Sequence, residues 1–125
     1  MSKPIVYACV GCSNVAQISH DIAYNLDSDG LAEMSYAAGV IGNVEPMKAL
    51  ATSGRKIIII DGCELSCTKA CLNTCDIEPD YYFIITDFGI EKRNKLQDSL
   101  LDNSLAVNHI YQELDKHGIN FMNKG

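Results

Sequence analysis

Six cysteines punctuate a chain of 125 residues, and their spacing divides them into two groups. Cys9 and Cys12 form a C-x-x-C pair, whereas Cys63, Cys67, Cys71 and Cys75 follow one another at intervals of four. Thiolates are both nucleophiles and soft metal ligands. A C-x-x-C pair can chelate from a loop, and cysteines at i and i+4 can chelate from one helix face. Such donor sets suit zinc, Cu(I) or an iron–sulfur cluster. The same residues could instead exchange disulfides, with Cys9 or Cys12 attacking and Cys63 or Cys67 resolving. Cysteine is also a common small core residue, a reading that fits Cys71 and Cys75 as well as a ligand role does.

Other chemistries find less support. A phosphatase-like loop would need an arginine after Cys9 or Cys12 to grip phosphate, and none follows there. No Ser-His-Asp or paired-carboxylate constellation stands out, so the sequence names no substrate. His20 lies off the apolar stripe of its helix and reads as a surface residue. His109 and His117 fall on a C-terminal helix that accounts for them, His117 as a cation in the last turn. Asp61, Asp87 and Lys92 are the remaining polar residues near strand ends and are candidates to support the ligands rather than to ligate.

The elements that position the thiols can be read from apolar runs. Lys56 to Ile60 is a β-branched run bounded by turn signals, which predicts a strand buried on both faces. Asp61-Gly62 ends it. A capping box between Asp61 and Glu64 would then start a helix carrying Cys63 in its first turn, with all four cysteines on one face at about 40° per step. A helix N-terminus there would stabilise a thiolate. Near the start of the chain, Pro4 to Ala8 predicts a first buried strand that leads into Cys9. Ser13 or Asn14 caps the helix that follows, with Gln17 placed to complete a box with Asn14, and Val15, Ile18, Ser19, Ile22, Ala23 and Leu26 give it one inward stripe. Strand, thiol loop and helix therefore occur twice.

Between these units, Ala32 to Tyr36 predicts a short strand, Gly39 and Gly42 punctuate a loop, and a helix runs near Glu45 to Ser53 with Pro46 at its start and Gly54 as its stop. Tyr81 to Thr86 predicts a fourth strand ended by Asp87-Phe88-Gly89. From Ile90 onward the chain reads as helical in one or two pieces, with Val107, Ile110, Tyr111 and Leu114 as its stripe and Gly118 as its stop. Alternating β and α elements predict an α/β, three-layer, Rossmann or flavodoxin-like domain with a mostly parallel sheet of about four strands. In the order 2-1-3-4 the first and third strands are neighbours, and ligands bind outside their carboxyl ends. Cys9 and Cys12 would then converge with Cys63 and Cys67.

Cys9-Val10-Gly11-Cys12-Ser13, Asp61-Gly62-Cys63 with Cys67, and Thr86-Asp87-Phe88-Gly89-Ile90-Glu91-Lys92 together carry a resemblance. In this order and spacing they are similar to the DGC-domain family, named for the central triplet and associated with zinc binding. The resemblance implies one zinc held by four cysteines, carried here onto Cys9, Cys12, Cys63 and Cys67. It implies nothing definite about physiological role. The chemistry is consistent with it, since zinc takes four ligands in a tetrahedron with Zn–S near ~2.3 Å, and a closed four-sulfur shell is structural rather than catalytic. Four thiolates and one Zn²⁺ leave a charge of about −2, which two helix N-termini would partly offset.

Composition sets the outer bounds. With 47% apolar and 21% charged residues the chain reads as one globular domain, residues 1–125, with the metal ion as its expected partner. A net charge of −6 and no long basic run argue against nucleic acid and against an anionic membrane surface. The apolar run from Ile5 to Val10 is too short for a signal peptide, and nothing approaches the ~20 residues of a membrane span. A cytoplasmic location is expected, where cysteines serve more often as ligands or reactive thiols than as disulfides. The even count would also fit three bridges in a secreted chain.

Overall fold

The computed structural model describes residues 3–9, 11, 13–92 and 100–121. Strand β1 (Ile5–Ala8) is followed by helix α1 (Asn14–Ser28), strand β2 (Glu33–Met34) and two short helices, α2 (Ala37–Ile41) and α3 (Glu45–Ala51). Strand β3 (Ile57–Asp61), helix α4 (Cys67–Asn73), strand β4 (Tyr81–Ile84), a 3₁₀ turn over Ile85–Phe88 and helix α5 (Leu100–Lys116) complete the chain. The four strands pair in parallel in the order β2-β1-β3-β4, the α/β arrangement expected from the alternation of elements.

The isoleucine run explains why β3 lies at the centre. Its five residues are all buried, and alternate ones enter opposite layers. Ile58 and Ile60 join Val6, Ile18, Ile22 and Ile110 on the face covered by α1 and α5. Ile57 and Ile59 join Ile5, Tyr7, Val40 and Leu72 on the face covered by α2, α3 and α4. Each such side chain removed from water contributes on the order of 1.5–3 kcal/mol, so the sheet is held from both sides.

Several expectations at element ends are corrected. The Gly39 region is helical rather than a loop, because Val40 is buried and α2 packs against α3, with the Met47 side chain lying against Gly39. β4 stops at Ile84, and the chain then tightens into the 3₁₀ turn, which Gly89 ends at φ 84°, a left-handed conformation that glycine adopts without steric cost. Ser13, not Asn14, caps α1 by accepting from the Ala16 N–H at 3.2 Å, and Gln17 turns instead to Asp21. Ile90 to Lys92 is not helical, and the rest of the expected helix before Leu100 lies outside the described residues. No helix among the described residues is long and apolar enough to cross a membrane.

Candidate metal centre

The carboxyl ends of β1 and β3 lie side by side, and the backbone fixes Cys9 there. Its N–H donates to the Ile60 carbonyl at 3.0 Å, extending the β1–β3 ladder by one residue, and its carbonyl accepts from the Ser19 hydroxyl at 3.3 Å. Gly62 closes the gap to the first thiol group. A Cβ there would stand 3.0 Å from the Ala16 nitrogen and the Val15 carbonyl carbon, so only glycine lets the end of β3 press against the start of α1. Sequence spacing alone cannot show this contact.

The approach to α4 differs from the expected capping box. Asp61 is 1% exposed, and its carboxylate reaches past Glu64 to accept from the Thr68 N–H at 2.9 Å and the Lys69 N–H at 3.1 Å. Residues 63–66 form a turn closed by the Ser66 N–H on the Cys63 carbonyl, and Ser66 sits in the left-handed region at φ 53°. That conformation costs a non-glycine residue roughly 1–3 kcal/mol and persists where neighbours enforce it. Tyr82 does so here, its hydroxyl hydrogen-bonded to Ser66 Oγ at 2.6 Å and to Asp61 Oδ2 at 3.0 Å. Lys69 Nζ lies 4.7 Å from the Tyr82 ring centroid, a cation–π contact. Helix α4 thus begins at Cys67, so Cys63 is not in its first turn and Cys75 lies beyond its end. Only Cys67 and Cys71 share its face.

The thiols occupy distinct settings. Cys63 is half-buried against the core between the sheet and α1, and Lys92 Nζ lies 3.5 Å from its sulfur. Asn14 prepares that contact by donating to the Glu91 carbonyl at 2.9 Å, which anchors the segment just before Lys92. Cys67 is exposed, Cys71 is half-buried, and Cys75 packs against the opposite core beside Leu72. Cys9, Cys67 and Cys71 all line one open cleft of about 350 Å³. His20 shares a smaller groove with Cys9, although sequence position marked it only as surface. Cys12 lies outside the described residues.

Electrostatics links three of the four expected ligands. Burial pushes the Cys9 thiol above its ordinary pKa, a hydrogen bond from the Gly62 backbone opposes this, and coulombic repulsion from Asp61, Cys67 and Cys63 pushes it further. Sulfur donors select a soft cation. The donor type fits zinc in this respect, although among the described residues no three His, Cys, Asp or Glu side chains are gathered into a ready metal site. No disulfide joins the described cysteines. The first turn of α4 gives its Thr68 and Lys69 N–H groups to Asp61, and Lys92 Nζ lies beside the Cys63 sulfur.

Sequence reasoning missed Tyr82 and Ser66, which hold the start of α4. Neither carries a local signal, because their roles arise only when β4 pairs beside β3.

The fold and these motifs define an α/β domain with cysteines lining a cleft at its topological switch point. The DGC domain matches residues 5–111, and the chain belongs to the DGC-domain family. It is 48% identical over 90 residues to the anaerobic and virulence modulator AnvM of Pseudomonas aeruginosa strain PAO1, a match covering 72% of this chain and 69% of that protein. No solved structure matches.

Proposed function

We propose that this DGC-domain protein binds one zinc ion through the thiolates of Cys9, Cys12, Cys63 and Cys67. The observation that carries the reading is the placement of Cys9, half-buried at the end of β1, bonded to the end of β3 and sharing one cleft with Cys67. Sulfur donors favour zinc over harder ions. Cys12 enters through its spacing from Cys9 and through the family resemblance. A closed four-thiolate zinc would act as a structural clip between the β1 and β3 loops. Lys92, beside Cys63, would offset part of the surplus negative charge.

The relative from Pseudomonas is named as an anaerobic and virulence modulator. A regulatory role for the shared domain is consistent with that name, since zinc–thiolate centres release metal when their sulfurs are oxidised. The cytoplasm is the compartment that keeps such thiols reduced.

Elemental analysis of protein purified anaerobically without chelator tests the reading. About one zinc per chain is expected, with affinity falling by orders of magnitude in Cys9→Ser, Cys12→Ser, Cys63→Ser or Cys67→Ser and little changed in Cys75→Ser. Iron with sulfide would replace zinc by a cluster. Metal retained in Cys9→Ser but lost in Cys71→Ser would overturn the ligand set.

A further inference from the structure

Helices α2 and α4 do not close over the carboxyl end of β1, and the cleft between them is bounded by two unlike walls. Tyr36, Ala38 and Ile41 line it from α2 and its N-cap, Cys67 and Cys71 from α4, and Cys9 from the end of β1. Its volume of about 350 Å³ falls within the range of small-molecule sites. It opens at the switch point between β1 and β3, where doubly wound sheets bind ligands.

The lining defines what can enter. Among the described residues that line the cleft, none is Asp, Glu, Lys, Arg or His. The N–H groups of Thr68 and Lys69, which a phosphate or carboxylate would seek, are occupied by Asp61, and the Lys69 ammonium is drawn to the Tyr82 ring. These groups therefore offer an anion no partner. Tyr36 and Ile41 keep 50% and 41% of their surface exposed, an uncovered apolar rim, and Cys71, outside the proposed zinc shell, adds a polarisable sulfur.

We infer that this cleft binds a small uncharged apolar molecule, seated against Cys9, Cys67 and Cys71. The ligand would lie beside the proposed zinc centre, and the inference rests on that reading only for this neighbourhood. The cleft itself exists without metal. Cys71 thereby gains a place in the protein as a wall of the ligand site.

The full-length chain, zinc-loaded and zinc-free, is titrated under anaerobic conditions with N-phenyl-1-naphthylamine, a neutral fluorophore of suitable size. Saturable binding at one site per chain is expected, and the bound probe should slow alkylation of Cys71. Ala38→Trp fills the cleft from an exposed rim position and should weaken the probe by about tenfold or more, the scale set by steric misfit in an apolar pocket. Ile41→Glu, also at the rim, should do the same by placing a charge there, and it serves if Ala38→Trp loses its circular dichroism. Non-saturating binding, or affinity unchanged in both variants, overturns the inference. So does a dimer in sedimentation velocity that Ile41→Glu dissociates, since a second copy would then be the occupant. Zinc uptake without probe binding sinks the inference alone, and probe binding without zinc uptake sinks only the metal reading.

Discussion

At the scale of single residues, Asp61 and Tyr82 decide where the second thiol group stands. The buried carboxylate caps α4 from the end of β3, and the phenol bridges that carboxylate to the left-handed Ser66. A hydrogen bond to a charged group contributes about 1.5–3 kcal/mol, so Tyr82→Phe is expected to destabilise by roughly that amount in denaturant unfolding. Burial, opposed by the Ser66 hydroxyl and reinforced by Asp61, raises the Tyr82 phenol to about 12. Because the folded-state value lies above the unfolded one near ~10, this contribution is fully present below that pH and is lost as pH rises toward 12. Unfolding titrations at neutral and alkaline pH should show a steeper alkaline loss in the wild type than in Tyr82→Phe. Equal slopes would mean that the phenol is not held as described.

At the scale of elements, the strands and their order were legible because isoleucine runs and β/α alternation are local patterns that tertiary structure only reinforces. The start of α4 was not. Asp61 and Glu64 have capping-box spacing, yet the carboxylate instead satisfies Thr68 and Lys69, since β4 brings Tyr82 close enough to stabilise the tight turn at Ser66. Cysteines spaced by four thus fall into a turn, a helix and a second turn, and their shared face reduces to Cys67 and Cys71. Helix α2 was hidden for a similar reason, as five residues containing a glycine gain their helicity from burying Val40. The place of Cys9 at the end of β1, beside β3, was legible through strand order, whereas the Lys92 contact depends on Asn14 holding a carbonyl 77 residues away. Leu72 fixes α4 to the sheet and is fully buried. Leu72→Ala should cost about 2–5 kcal/mol and, by loosening α4, lower zinc affinity although Leu72 is not among the proposed ligands. Calorimetry of zinc binding would check this, and unaltered affinity would show that α4 does not position a ligand.

At the scale of the whole molecule, metal and fold should be thermodynamically linked. The proposed centre ties the loops after β1 and β3, so zinc binding only to the folded chain adds about 2.7 kcal/mol at a hundredfold excess over Kd, or about 10 °C in Tm. Ligation requires deprotonated sulfur, and the Cys9 thiol is held above its ordinary pKa. The zinc-dependent gain in Tm should therefore shrink as pH falls from neutral toward about 5, where protons compete for the sulfurs. Thermal melts with zinc and with chelator across that range measure it, and a gain independent of pH would argue against thiolate ligation.

The central claim is that Cys9, Cys12, Cys63 and Cys67, and not the other two cysteines, hold the metal. Residue-resolved alkylation by mass spectrometry, performed anaerobically on the zinc-loaded chain before and after chelation, tests it most directly. The account expects those four thiols to react slowly when loaded and quickly once the chelator removes zinc, while Cys71 and Cys75 react at rates that the chelator does not change. Equal reactivity of Cys9 and Cys67 in both states, or chelator-dependent exposure confined to Cys71 and Cys75, would contradict it.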